Sequence, residues 1–356
     1  MKWTGSYDKC HIDHIDKKRW LFAMYTICFG IMVMLVFGRF LYYGKSFVGG
    51  ADGLSQVAPT MQYTGQYYRA LLKNILQGNL QIPMWDMSIG FGMNILQVIS
   101  FDPVYILCSV LFVHDIAVGI AIFDMLCLYL AGIMFIALCY NLGCNRYAAL
   151  AAALAYIFNG YILNYCMAQN SFLRLFIVLP MILLGVYNVT KKNRYGIFVL
   201  AVLYNITLGP LNIYTIGIVL IFCFCMAYIF SDRKKGVADF FSYIWKPVLI
   251  YILEMLVMAV FLIPTMYKVV SGGRIGNASI NFQWLYDVSY YRSLFHGLVG
   301  VDEIGIHGYI GVTTIAILAV VCLVIKGNKS LLEKELCVCG VAALSLIHIL
   351  TLPTIA

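Results

Sequence analysis

From Trp20 to Tyr43 the chain stays apolar long enough to cross a hydrocarbon core of about 30 Å as a helix, and apolar runs bounded by basic clusters recur along its 356 residues. In lipid every backbone polar group must be paired within the protein, which leaves helices or a closed barrel. Barrel strands alternate polar and apolar side chains, and these runs do not, so the expected fold is an all-α polytopic membrane bundle. Composition agrees: 62% of residues are hydrophobic and 11% charged, too little charge for a soluble domain. The first run exceeds a secretory h-region and no small-residue cleavage site follows it, so it is expected to remain as an anchor.

The basic clusters report topology rather than a nucleic-acid surface, because they fall between spans and form no single patch. Residues 1 to 19 carry Lys2, Lys9, Lys17, Lys18 and Arg19, which predicts a cytoplasmic N-terminus. The first span then delivers residues 44 to 115 outside. Within that loop Gln62, Gln66, Arg69, Lys73 and Gln77 recur every three or four residues, opposite Met61, Tyr68, Leu72 and Ile75. That spacing predicts an amphipathic helix in the interface. The run from Asp102-Pro103 to Val113 is too short to span and is expected to be a second interfacial or re-entrant helix.

Later spans are expected near Ile116 to Tyr140, Tyr147 to Tyr165, Phe172 to Val189, Tyr195 to Leu208, Leu211 to Phe230, Pro247 to Tyr267 and Ile306 to Ile325. This order places Arg146, Lys191, Lys192, Arg194, Arg233, Lys234, Lys235, Lys326 and Lys329 on the inner side, with a second external loop at 268 to 306. A ninth hydrophobic stretch begins near Leu336. The last thirteen residues read LSLIHILTLPTIA, as a translated transposase adapter would. The chain is therefore expected to be a truncated piece, with no functional weight on His348 or Pro353. Cysteines such as Cys28, Cys127 and Cys223 lie inside apolar runs, where a buried thiol is the ordinary reading.

Chemistry at the membrane surface needs acids and cations at headgroup depth, and the first loop supplies both. Asp52, between Gly50 and Gly53, is first of all a turn signal. Its place just beyond the first span adds a second reading, a carboxylate level with lipid phosphates, with Gln56 in the same loop. Arg69, Lys73 and Asp86 are further candidates for contact with substrate. Trp85-Asp86 also reads as an interfacial anchor with a solvated acid. His114-Asp115 with Asp102 is a weak metal signal, and capping of the next span is the plainer reading. Arg174 sits where a guanidinium can grip a phosphate or snorkel to the interface. The second loop offers Arg292 and His296 as residues that could close over the first. Asp124 and Glu254 fall inside spans, where a carboxylate is a functional hypothesis favouring transport. No P-loop, dinucleotide fingerprint, His-Glu-x-x-His site or serine elbow is present.

The order of elements resembles the bacterial YfhO-type membrane proteins and, through them, the C-type integral-membrane glycosyltransferases (GT-C). An N-terminal span is followed by a loop with Asp52 and Gln56, then Pro83-Met84-Trp85-Asp86-Met87-Ser88-Ile89-Gly90-Phe91-Gly92, then Asp102-Pro103-Val104-Tyr105. The resemblance covers most of residues 20 to 343. It implies a transferase that moves a sugar from a polyprenyl-phosphate carrier to an envelope polymer of the teichoic acid kind, in contact with membrane lipids and not with nucleic acid. It also implies that Asp52 matches the superfamily's essential Asp. Family members more often carry Trp-Asn where this chain has Trp85-Asp86, which weakens Asp86 as a catalyst.

On that reading Asp52 is the general base, Gln56 orients a hydroxyl and Arg174 meets the donor phosphate. Phosphate is already a fair leaving group, so the argument calls for no cofactor. The rivals are a lipid or polysaccharide transporter coupled through Asp124 and Glu254, and a non-catalytic envelope assembly protein.

Overall fold

The computed structural model describes residues 4–50, 52–79, 81–167, 170–231, 236–271, 288–289 and 314–327. Its helices are α1 (Thr4–Tyr42), α2 (Ala58–Leu76, entered through a π turn at Gly53–Val57), α3 (Pro103–Leu111), α4 (Ile116–Asn141), α5 (Arg146–Ile157), α6 (Leu175–Lys192), α7 (Gly196–Thr207), α8 (Pro210–Ile229), α9 (Val237–Val257), α10 (Ala259–Ser271) and α11 (Thr314–Ile325). Among the described residues the only strands are β1 (Trp85–Asp86) and β2 (Met93–Asn94), paired antiparallel. The protein is an all-α membrane bundle, and among the described residues five helical stretches are long and apolar enough to cross a bilayer: Arg19–Tyr42, Ile116–Asn141, Asn170–Lys192, Asn212–Ile229 and Val237–Val257.

Helix α4 is the centre. Its Phe123, Cys127, Leu128, Ala131 and Ile136 are buried among α1, α5 and α6. Small residues let its neighbours close in: Tyr25 of α1 lies where a Cβ on Gly132 would be, and its hydroxyl donates to the Tyr129 carbonyl at 3.0 Å. Gly185 does the same between α6 and α7, since a Cβ there would come within 2.9 Å of the Phe198 Cα. Pro180 lacks an N–H and so leaves the Phe176 carbonyl without its helical donor. The Tyr156 hydroxyl of α5 supplies one at 3.0 Å.

One end of the bundle is basic. Arg146 lies 4.6 Å over the Trp20 ring, and Lys192 donates to Asn141 at 2.7 Å, so the ends of α4 and α6 and the starts of α5 and α1's apolar part meet there. The opposite end holds α2, α3 and the β hairpin. Asp102 caps α3 and Asp115 caps α4, the latter accepting from the Val118 N–H at 3.3 Å. A Cβ on Gly65 would meet the Ser109 carbonyl, so α2 and α3 cross at backbone contact.

Two expected spans differ. The one placed at Tyr147 to Tyr165 is broken rather than continuous: α5 ends at Ile157 and a π turn follows at Ile162–Cys166, because the Asn159 side chain donates to the Tyr156 carbonyl and accepts from the Ile162 N–H, competing with the helix between them. The one placed at Pro247 to Tyr267 starts nearly three turns earlier, at Val237, carries Pro247 inside it, and breaks at Met258 into α9 and α10. The short apolar helix 102 to 113 is present as α3, and the amphipathic helix as α2. The second external loop, the stretch from Leu336 and the last thirteen residues lie outside the described residues, save for 268–271 at the end of α10 and 288–289.

Candidate functional site

Helices α5 and α7 are twelve residues each, about 18 Å at 1.5 Å per residue, so neither crosses a full hydrocarbon core. The end of α7 gives way at Leu208-Gly209 to open backbone at the end opposite the basic cluster. A cavity of about 290 Å³ opens there. Its wall takes Asp52, Gln56 and Thr60 from the start of α2, the loop 98–101, Asn170, Ser171 and Arg174 before α6, residues 206–209 after α7, and Met258, Phe261, Leu262 and Thr265 from the α9–α10 break. Irregular backbone at such depth is tolerated where it lines a cavity.

Asp52 is half-buried, and Gln56 donates to its Oδ1 at 2.8 Å. The π turn at Gly53–Val57 places these two side chains, four apart, on one side of the chain. Thr60, one further turn on, joins them in the wall.

Arg174 reaches the cavity with a side chain only 11% exposed. Its Nη1 lies 3.5 Å from Asp102 Oδ2 and 3.5 Å from Ser100 Oγ, and its Nε donates to the Ser171 carbonyl at 3.4 Å. The guanidinium also stands 5.7 Å from the Tyr105 ring. Asp102 is fully buried; one oxygen accepts from the Val104 N–H at 2.9 Å and the Tyr105 N–H at 3.4 Å, and the other from the Tyr204 hydroxyl at 3.3 Å. Burial, the largest influence, pushes the Tyr105 phenol up, with Arg174 opposing it.

Of the residues expected to contact substrate, the fold brings Asp52, Gln56 and Arg174 into one wall. It places three others elsewhere. Arg69 donates to the Val110 and Leu111 carbonyls at 2.7 and 3.3 Å and approaches His114 at 3.2 Å, closing the C-terminus of α3. Lys73 is exposed near the end of α2. Asp86 belongs to the hairpin, where the Ser88 hydroxyl and amide and the Tyr63 hydroxyl donate to it and hold its carboxyl below the usual range. Arg292 and His296 lie outside the described residues.

Asp124 is buried on α4, and neither of its oxygens completes a hydrogen bond; the buried Asn170 also leaves its amide nitrogen unpaired. Glu254 of α9 has no hydrogen-bond partner either, on a helix that is mostly exposed along its length. Among the described residues no group of His, Cys, Asp or Glu side chains could hold a metal ion.

Asp102, Tyr204 and the α9–α10 break are the parts of the site that reading the residues in order had not found. Asp-Pro is an N-cap followed by proline at the first helical position, which marks a helix start and hides a second role. An arginine at the head of an apolar helix calls for an acid partner, and that was the available signal. A family model described as bacterial membrane protein YfhO matches residues 24–354. No curated protein and no solved structure matches.

Proposed function

The chain belongs to the YfhO family of bacterial membrane proteins, and from that membership and the chemistry of the cavity we propose that it is a membrane glycosyltransferase of the C type. Its donor is a sugar on a polyprenyl phosphate, and its acceptor an envelope polymer such as a teichoic acid, on the outer face. The observation that carries this reading is the meeting, in one cavity wall, of a half-buried carboxylate, its amide neighbour and a guanidinium drawn from distant segments.

In the proposed reaction Asp52 takes the proton from an acceptor hydroxyl as its oxygen bonds to the anomeric carbon. The bond from that carbon to the phosphate oxygen breaks, and the electron pair leaves with the polyprenyl phosphate. Arg174 stabilises the charge gathering on that phosphate more strongly in a partly dehydrated cavity than in water. Gln56 holds the carboxylate and orients the hydroxyl. The apolar lining, Val57, Phe101, Leu208, Met258, Phe261 and Leu262, suits the lipid part of the donor.

The basic end supports the expected orientation, with Arg146, Lys191 and Lys192 in the cytoplasm and the cavity outside. Replacing Asp52 with Asn is expected to lower sugar transfer by about a hundredfold or more, the span of general-base catalysis, while the protein inserts normally. Transfer at the parental rate in that variant removes Asp52 as the base.

A further inference from the structure

The ion pair beside the cavity is unequal. Arg174 is held by long contacts of 3.4 to 3.5 Å, whereas Asp102 keeps a 2.9 Å bond from the Val104 N–H along with its donors at Tyr105 and Tyr204. If the guanidinium turns away, the carboxylate still has three donors and sits at the N-terminus of α3, where negative charge is favoured. The guanidinium, in turn, borders the cavity and carries the planar fork that suits a phosphate.

We propose that Asp102 is an internal counter-charge that occupies Arg174 in the empty cavity and competes there with the phosphate of the lipid ligand. It lowers the affinity of the cavity for lipid phosphate and so speeds release of the spent carrier, which bears more negative charge than the sugar-bearing diester. Tyr204 is its positioning residue, holding Asp102 back from Arg174. This inference rests on the reading of the cavity as a lipid-phosphate site.

The geometry permits a test with a sign. Asn caps a helix as well as Asp does, so Asp102→Asn keeps the start of α3 through its one amide oxygen and removes the charge, while its NH2 takes the place of the oxygen that faced Arg174 and Tyr204. Purified full-length protein in lipid nanodiscs is titrated with polyprenyl phosphate lacking a sugar, and with uncharged polyprenol as the control. Asp102→Asn is expected to bind the phosphate roughly tenfold more tightly, the low end of what a close charge pair contributes. Arg174→Gln is expected to bind roughly tenfold more weakly, and adding Asp102→Asn to it should recover little. A merely structural role for Asp102 predicts weaker binding. Affinity unchanged or reduced in Asp102→Asn overturns the inference and leaves the donor reading standing.

Tyr204→Phe keeps the question decidable if Asp102→Asn does not fold. Losing its hydroxyl leaves Asp102 more dependent on Arg174, so binding should weaken several-fold, and tighter or unchanged binding overturns the inference. Wild-type protein that binds phosphate and polyprenol alike overturns the lipid-phosphate reading itself, and this inference with it.

Discussion

Asp52, Asp86 and Asp102 lie within fifty-odd residues of one another and differ in what surrounds them. Asp86 is locked by donors within its own hairpin and from Tyr63, which leaves it little to offer a substrate. Its folded carboxyl is held below the ordinary value of 3.8. A depressed acid contributes stability above its unfolded value, and that contribution is lost as pH falls through the folded one. The hairpin should therefore stay docked on α2 down to about pH 4 and loosen only below it. The difference in fluorescence between wild type and Trp85→Phe, followed against pH, reads this directly; a change centred above pH 5 contradicts the assignment. Asp52 was legible from position alone, because a carboxylate just past a first span must lie near the interface. Asp102 was not, since its partners Arg174 and Tyr204 enter from α6 and α7, and no local spacing announces a contact across so much chain.

At the scale of elements, polar groups decide where helices stop. Asn159 ends α5 early, and Tyr156 on the same helix repairs the carbonyl that Pro180 exposes on α6. Inside a membrane that carbonyl has no water to turn to. Tyr156→Phe removes the donor while keeping the ring that stacks on Phe135 at 4.6 Å. The expected loss is about 1 kcal/mol, somewhat above the roughly 0.6 kcal/mol average for hydrogen bonds between membrane helices. Thermal unfolding of the detergent-purified variant measures it, and an unshifted transition contradicts the repair. Hydropathy located the apolar part of α1 and α4, α6 and α8 to within a few residues, because long apolar runs have one way to satisfy their backbone. It read the third span as continuous and misplaced the start of α9, because hydropathy does not register a side chain that competes with the helix or a proline the bundle tolerates.

Taken whole, the bundle has one basic end and one end built from α2, α3, a hairpin and broken helices, and the cavity belongs to the second. A twelve-residue α7 that stops at Thr207, the irregular backbone before α6 and a break at Met258 border the room that a bundle of full-length spans would fill with side chains. The all-α membrane class was legible from periodicity and composition. The cavity was not, since it arises from where helices fail to reach. What the cavity does is decided by one measurement: the full-length protein, reconstituted in lipid vesicles with radiolabelled polyprenyl-phosphate sugars and envelope polymer, assayed for label in the polymer. The account predicts incorporation that depends on the protein and falls to background with Asp52→Asn. Label that never enters the polymer with any such donor, or that enters equally well with the variant, contradicts it.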